Sequence, residues 1–122
     1  MNQETLIYFT NTLNRRLKEI LPGMRQRLSN FMDMGDHHDP MDEVDITAKR
    51  YQQEFNMHIQ HRTERLVLEI QDALRRIKRG EFGICEECGR EIEVGRLKAQ
   101  PMATLCFDCK RELEALERLK VA

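Results

Sequence analysis

Apolar residues in the first third of the chain recur at Leu6, Phe9, Leu13, Leu17, Ile20, Met24, Leu28 and Phe31, in steps of three and four. That period lays a narrow apolar stripe along a helix, and such a stripe needs a second helix to cover it. A second stripe runs through Val44, Ala48, Tyr51, Phe55, Ile59, Leu66, Ile70, Leu74 and Ile77, with Arg62 in its one non-apolar slot. Heptad-like spacing is what helix pairing demands, so both stripes are read as packing seams that zip together, not as ligand sites. Between them, Asp33 to Met41 holds Gly35, Pro40 and four consecutive polar residues before the proline. This composition predicts a turn joining two antiparallel helices.

The pair Pro22-Gly23 interrupts the first stripe, and a kink or break is expected there because proline removes a helix hydrogen bond and clashes with the preceding turn. The second helix, from about Asp42 to Arg79, would be roughly 55 Å long at 1.5 Å per residue. Gly80 offers its C-terminal stop. Near the end of the chain Leu113, Leu116 and Leu119 predict a short helix over Glu112 to Lys120, starting near the last cysteines and packing back on the base. No internal repeat or low-complexity tract is present.

Candidate chemistry enters with four cysteines, Cys85-x-x-Cys88 and Cys106-x-x-Cys109, with seventeen residues between the pairs. Each pair can grip one metal ion from a tight turn, and Gly89 supplies the positive φ that such a turn often requires. Four thiolates around one tetrahedral zinc leave no open position for water or substrate, so the ion would be structural. The alternatives are two disulfides or a redox dithiol. Neither a secretory signal nor a thioredoxin-like strand pattern accompanies the pairs. The predicted fold class is therefore mainly α: an antiparallel coiled-coil hairpin over residues 1–80, with an acidic tip near 36–47, and a C4 zinc-ribbon-like module with a short C-terminal helix over 81–122.

Composition narrows the partners. With 122 residues, 34% of them charged, the chain has room for one domain or two small modules and no large core. A mean hydropathy of −0.65 and a longest apolar run of only Leu6 to Phe9 predict a soluble, cytoplasmic protein without a membrane segment. The balance of 20 Lys and Arg against 21 Asp and Glu provides no basic footprint for nucleic acid, so a protein partner is favoured.

Asp36, Asp39, Asp42, Glu43 and Asp45 concentrate negative charge around the turn, and no Lys or Arg occurs from Phe31 through Ala48. Asp42 can cap the second helix, with Asp45 in its first turn favoured by the helix dipole. The same carboxylates can instead reach a cation or a mobile element in a partner. His37 and His38 in the turn, and His58 and His61 three apart on the second helix, lack a third fixed ligand and read as solvated.

The segment Gly80-Glu-Phe-Gly-Ile-Cys-Glu-Glu-Cys-Gly-Arg-Glu-Ile, followed by Arg96-Leu, Pro101 and Leu105-Cys-Phe-Asp-Cys-Lys110, resembles the zinc-finger signature of the DksA/TraR family of bacterial transcription regulators. Asp42-Glu-Val-Asp45-Ile-Thr47 resembles that family's D-x-x-D-x-A tip motif, with Thr47 standing where the motif has alanine. The resemblance implies a protein that binds bacterial RNA polymerase and not a DNA sequence. It docks at the secondary channel, inserts the coiled coil, and brings Asp42, Asp45 and Thr47 near the active centre to alter open-complex stability. It also implies a link to the alarmone ppGpp and the stringent response, for which Arg62 and Lys110 are the matching cations. Glu69 and Gln100 stand where positive charge is expected. The chain begins later than longer family members.

Two other classes remain as alternatives. A zinc-ribbon nucleic-acid binder would cluster Lys, Arg and aromatic residues beside the cysteines, whereas this module carries Glu81, Glu86, Glu87, Glu91 and Glu93. A coiled-coil adaptor would pair with another chain, whereas an intramolecular hairpin predicts a monomer. An enzyme is disfavoured, since no nucleophile is paired with a base at readable spacing.

Overall fold

The computed structural model describes residues 1–33 and 43–121. The predicted turn after Asp33 lies outside them, together with Asp36, His37, His38, Asp39, Asp42 and the side chain of Phe31. Four helices occur in order: α1 (Gln3–Asp33), α2 (Glu43–Arg79), α3 (Val94–Ala99) and α4 (Phe107–Val121). Among the described residues the β-structure is one isolated antiparallel bridge, Ile84 to Glu91. The architecture is the mainly α coiled-coil hairpin with a small C4 module that the sequence predicts.

Asn2 starts α1 as its cap, its Oδ1 accepting from the Thr5 N–H at 2.8 Å and from the Thr5 hydroxyl at 2.6 Å. Of the kink or break expected at Pro22, the break does not occur, and α1 runs unbroken through it. The proline forfeits one hydrogen bond, a cost of about 3 kcal/mol. Partly buried Leu17, Ile20, Leu21 and Met24 flank it on both sides, and their packing offsets that cost. At the end of α2, Gly80 adopts a φ of 76°, its N–H bonds the Ile77 carbonyl at 3.2 Å, and the Glu81 N–H bonds the Arg76 carbonyl at 2.9 Å. This is a Schellman stop, which only a left-handed residue completes.

The contacts divide the chain into two compact units that cut both long helices: Met1–Leu13 with Ile70–Ala122, and Asn14–Glu69. In the first, Phe9, Leu13, Ile70, Ala73, Phe82, Ile92 and Leu97 form the buried core. The Phe9 and Phe82 rings lie 5.3 Å apart, tying α1 to the segment after α2, and Tyr8 meets Phe9 edge-on. Arg76 is also buried here, its Nε 3.5 Å from an Asp72 carboxylate oxygen. Helix α4 departs from expectation twice. It starts at Phe107, five residues early, and it does not pack back, since Leu113, Leu116 and Leu119 are exposed. Steps of three turn about 60° per leucine around a helix, so these three never share one face.

The second unit holds the larger correction. Along α2 as far as Leu66 the partly buried positions are Lys49, Gln53, Asn56, Ile59, Gln60, Thr63, Glu64 and Leu66, whereas Val44 is 75%, Tyr51 70% and Phe55 61% exposed. The distal half of the predicted stripe therefore faces outward. The reason is periodicity. Positions 49, 53, 56, 60, 63 and 67 alternate strictly in steps of four and three, as a left-handed coiled coil requires. The apolar stripe instead takes successive steps of four at Tyr51–Phe55–Ile59 and at Arg62–Leu66–Ile70–Leu74, and each such stutter rotates it relative to the seam. The seam consequently mixes polar residues with apolar ones such as Ile59 and Val67, and Arg27 of α1 donates through Nη2 to the Thr63 hydroxyl at 3.0 Å, while Thr63 donates to the Ile59 carbonyl.

Gln60 Oε1 is buried without a hydrogen-bond partner among the described residues, while its Nε2 donates one long bond to the Glu64 carboxylate at 3.4 Å, so Gln60→Leu gives up that weak bond, removes an orphan acceptor and adds apolar burial. Equilibrium urea unfolding is expected to show this variant about 1 kcal/mol more stable than the parent. A loss of stability would mean that Gln60 is satisfied in the seam.

Candidate functional site

Two glycine-dependent turns and one helix start bring the cysteines together. Gly83 (φ 81°) carries the chain from Phe82 into the first knuckle, and the Ile92 N–H bonds back to the Gly83 carbonyl at 2.7 Å. A Cβ at Gly83 would meet first the flexible end of the Met1 side chain, which can move aside, so it is the left-handed φ that calls for glycine in this turn. Gly89 (φ 73°) closes the knuckle as expected, its N–H bonding the Cys85 carbonyl at 3.0 Å, while the Cys85 N–H reaches the Arg90 carbonyl at 2.8 Å. The Glu86 N–H then bonds the Thr104 carbonyl at 2.9 Å, which joins the two halves of the module. Arg96, from α3, braces the second half by donating through Nε to the Leu105 carbonyl at 3.1 Å.

The second pair sits at the N-terminus of α4. Cys106 precedes its first residue, the Lys110 N–H bonds the Cys106 carbonyl at 3.0 Å, and the Cys109 N–H points at the Cys106 sulfur at 3.5 Å. The positive end of the helix dipole favours thiolates there. The sequence predicts this helix over Glu112 to Lys120, starting near the last cysteines, and does not signal that Cys109 lies within its first turn.

All four sulfurs lie within 4.8 Å of one another, and no cysteine is in a disulfide. Cys88 Sγ and Cys106 Sγ are 3.8 Å apart. Ligands about 2.3 Å from a tetrahedral centre are separated by about 3.8 Å along the tetrahedron's edge, so the spacing fits one zinc ion. The acid–base chemistry agrees. Backbone N–H groups of Cys88 and Cys106 lower the Cys85 pKa to about 6, against burial, which raises it. The Cys106 thiol and burial push Cys109 well above the ordinary thiol value. Without a cation the cluster sheds its first proton readily and resists losing its last, since like charges at this distance repel. A divalent cation relieves that repulsion, and four sulfur donors suit a closed, structural site.

The description prokaryotic dksA/traR C4-type zinc finger belongs to the family model that matches residues 80–115. The RNA polymerase-binding transcription factor DksA of Haemophilus influenzae is 30% identical over 121 residues, covering 97% of this chain and 80% of that protein. The chain belongs to the DksA/TraR family. The DksA of Escherichia coli K12 is 31% identical, with 97% of this chain and 77% of that protein covered. Among solved structures, transcription factor DksA2 from Pseudomonas aeruginosa superimposes with a TM-score of 0.85 at 29% identity, covering 96% of this chain and 88% of that one.

Of the family's tip motif, Asp42 lies outside the described residues. Asp45 is exposed in the first turn of α2 beside Glu43. Thr47 follows, and its hydroxyl donates to the Glu43 carbonyl at 2.8 Å. The hydroxyl is thus occupied within the helix, and Thr47 departs less from alanine than its formula suggests. Arg62 lines a cavity of about 400 Å³ with Ile59, Arg65, Leu66 and Glu69 in the second unit, so the Glu69 carboxylate shares that space. Lys110 lies in the first unit, in the opening turn of α4. His61 faces Glu64 at 3.9 Å, and His58 joins no metal-binding group; among the described residues the four cysteines are the group able to hold a metal.

Cys88 is exposed, so Cys88→Ser tests ligation with little effect on packing. Metal analysis is expected to find one zinc per parent chain, and the variant is expected to lose it to a chelator concentration that the parent withstands. Because ligation requires deprotonated thiols, zinc affinity should fall as pH falls. Equal zinc retention by parent and variant would contradict four-thiolate ligation.

Proposed function

We propose that this protein binds bacterial RNA polymerase at its secondary channel and changes the stability of open promoter complexes through the acidic start of α2. The observation that carries this reading is about 30% identity, over almost the whole chain, to proteins named for binding RNA polymerase. On this reading the protein works in the cytoplasm as a monomer, contacts polymerase without reading a DNA sequence, and makes or breaks no covalent bond. No helix among the described residues is long and apolar enough to cross a membrane.

The mechanism follows from population shift. A ligand moves a conformational equilibrium only by contacting the two states differently. Carboxylates at Asp42 and Asp45, brought near mobile cationic elements of the polymerase, supply that difference as charge. Asp45 is held at a defined place by the helix, and Thr47, with its hydroxyl turned back to the backbone, offers a methyl group there. The alarmone ppGpp is assigned to Arg62 and Lys110 only as an auxiliary ligand. The Glu69 carboxylate in the Arg62 cavity opposes a pyrophosphate, so the response to ppGpp is weak on this account.

The test adds purified protein to a bacterial RNA polymerase and measures binding together with open-complex lifetime, with and without ppGpp. The variant carrying Asp42→Asn and Asp45→Asn is expected to bind within about threefold of the parent while changing the lifetime at least tenfold less, a loss of about 1.4 kcal/mol of differential contact. An undiminished effect would reduce the acidic residues to helix caps, and a parent that does not bind would remove the proposed function.

A further inference from the structure

The two units into which the long helices divide are held closed by unequal means. In the first, Phe9, Leu13, Ile70, Phe82, Ile92 and Leu97 are buried, and the four cysteines gather beside them. In the second, Asn14–Glu69, Val67 is the one buried residue among the described side chains. Leu17, Ile20, Leu21, Met24, Ile59 and Leu66 are only partly covered there. Helices draw most of their stability from a packed apolar face, so a pair of helices without one is held loosely however long it is.

The seam of the second unit also carries packing defects. Arg27 Nε and Gln60 Oε1 are buried without a hydrogen-bond partner among the described residues, and a cavity of about 150 Å³ lies beside them, lined by Arg27, Leu28, Asn56, Met57, Gln60 and His61. Each orphan gives up its hydration for nothing, and the cavity forfeits dispersion contact. Pro22 removes a helix hydrogen bond from the same unit. Against these stands the bond from Arg27 Nη2 to the Thr63 hydroxyl at 3.0 Å, which ties the helices at one point. The first unit has orphan donors too, Nε and Nη1 of Arg76, but its buried core and the metal cluster offset them.

We infer that Asn14–Glu69 is a separate cooperative unit of low stability, which opens and recloses while the first unit stays folded around its four cysteines. Regions with few buried apolar contacts open at a lower free energy than the whole chain, in contiguous blocks. Here the boundary of the block falls inside continuous helices, at Leu13 in α1 and at Ile70 in α2. This opening is a property of the free protein, whatever its partner. It governs the acidic start of α2, because Asp45 has a defined place only while the unit is closed. A partner that grips the closed unit draws the open molecules toward it, and its apparent affinity falls with the fraction that is open.

Amide hydrogen exchange of the zinc-loaded full chain, followed residue by residue by NMR where reclosing outpaces exchange, tests this. Along α2 the amides up to Glu69 are expected to exchange roughly a hundredfold faster than those of Ile70 to Ile77, with the step at the boundary and not at a helix end. Gln60→Leu, which removes an orphan acceptor, is expected to slow exchange about fivefold throughout both helical segments of the second unit, the ratio equivalent to the stability gain expected of it. Ile92→Val, in the core of the first unit, is expected to speed exchange of Ile70 to Ile77 about fivefold and to leave the second unit as in the parent. Zinc content equal to the parent establishes that each variant keeps its first unit folded. Protection that runs level through Ile70 would overturn the inference. So would Ile92→Val speeding both units by one factor, which makes the chain a single cooperative body, or Gln60→Leu slowing only the amides within a turn of residue 60, which makes the opening local fraying.

Discussion

Four thiols in mutual contact cannot all ionise without a cation, and the C4 module is built around that constraint. Cys85 is drawn toward ionisation by backbone N–H groups, whereas Cys109 is held protonated by its neighbours. Everything close to the cluster serves to keep the sulfurs within 4.8 Å of one another: the left-handed glycines, the Glu86 to Thr104 hydrogen bond, and the start of α4 against Cys106. One divalent cation satisfies all four donors. The module can then do with little core, since Phe82, Ile92 and Leu97 are most of the apolar burial that it contributes.

The cysteine spacing, the two long helices, the Gly80 stop and the Gly89 turn were legible in the sequence because each is set by local chemistry. A residue in a left-handed turn or a metal-binding dipeptide leaves its mark within a few positions. The facing of α2 was not legible, because it depends on what α1 presents opposite. A stripe reader follows hydrophobicity, whereas a supercoil follows strict alternation of four and three, and in the distal half of α2 these two diverge. Lys49, Gln53, Asn56 and Gln60 occupy the seam, and Tyr51 and Phe55 face outward. At Pro22 local propensity argues for a kink or a break, and the break is absent because packing on both sides of it holds the helix together.

At the candidate site the same division holds. The four ligands were readable from spacing alone. The environment of each was not, including the helix N-terminus beneath Cys106 and Cys109 and the Arg96 brace on Leu105. Thr47 shows how a sequence difference can shrink on folding, since its extra hydroxyl is absorbed by the Glu43 carbonyl. Arg76 shows the reverse. It looks like one of several surface cations near the end of α2, and it is 93% buried, a change that periodicity did not signal.

The claim that the rest depends on is a closed, four-sulfur metal centre. X-ray absorption at the zinc edge of the purified protein tests it most directly. The account predicts one zinc per chain with four sulfur scatterers at about 2.3 Å and no oxygen or nitrogen in the first shell. A spectrum with mixed sulfur and oxygen or nitrogen ligands would contradict it.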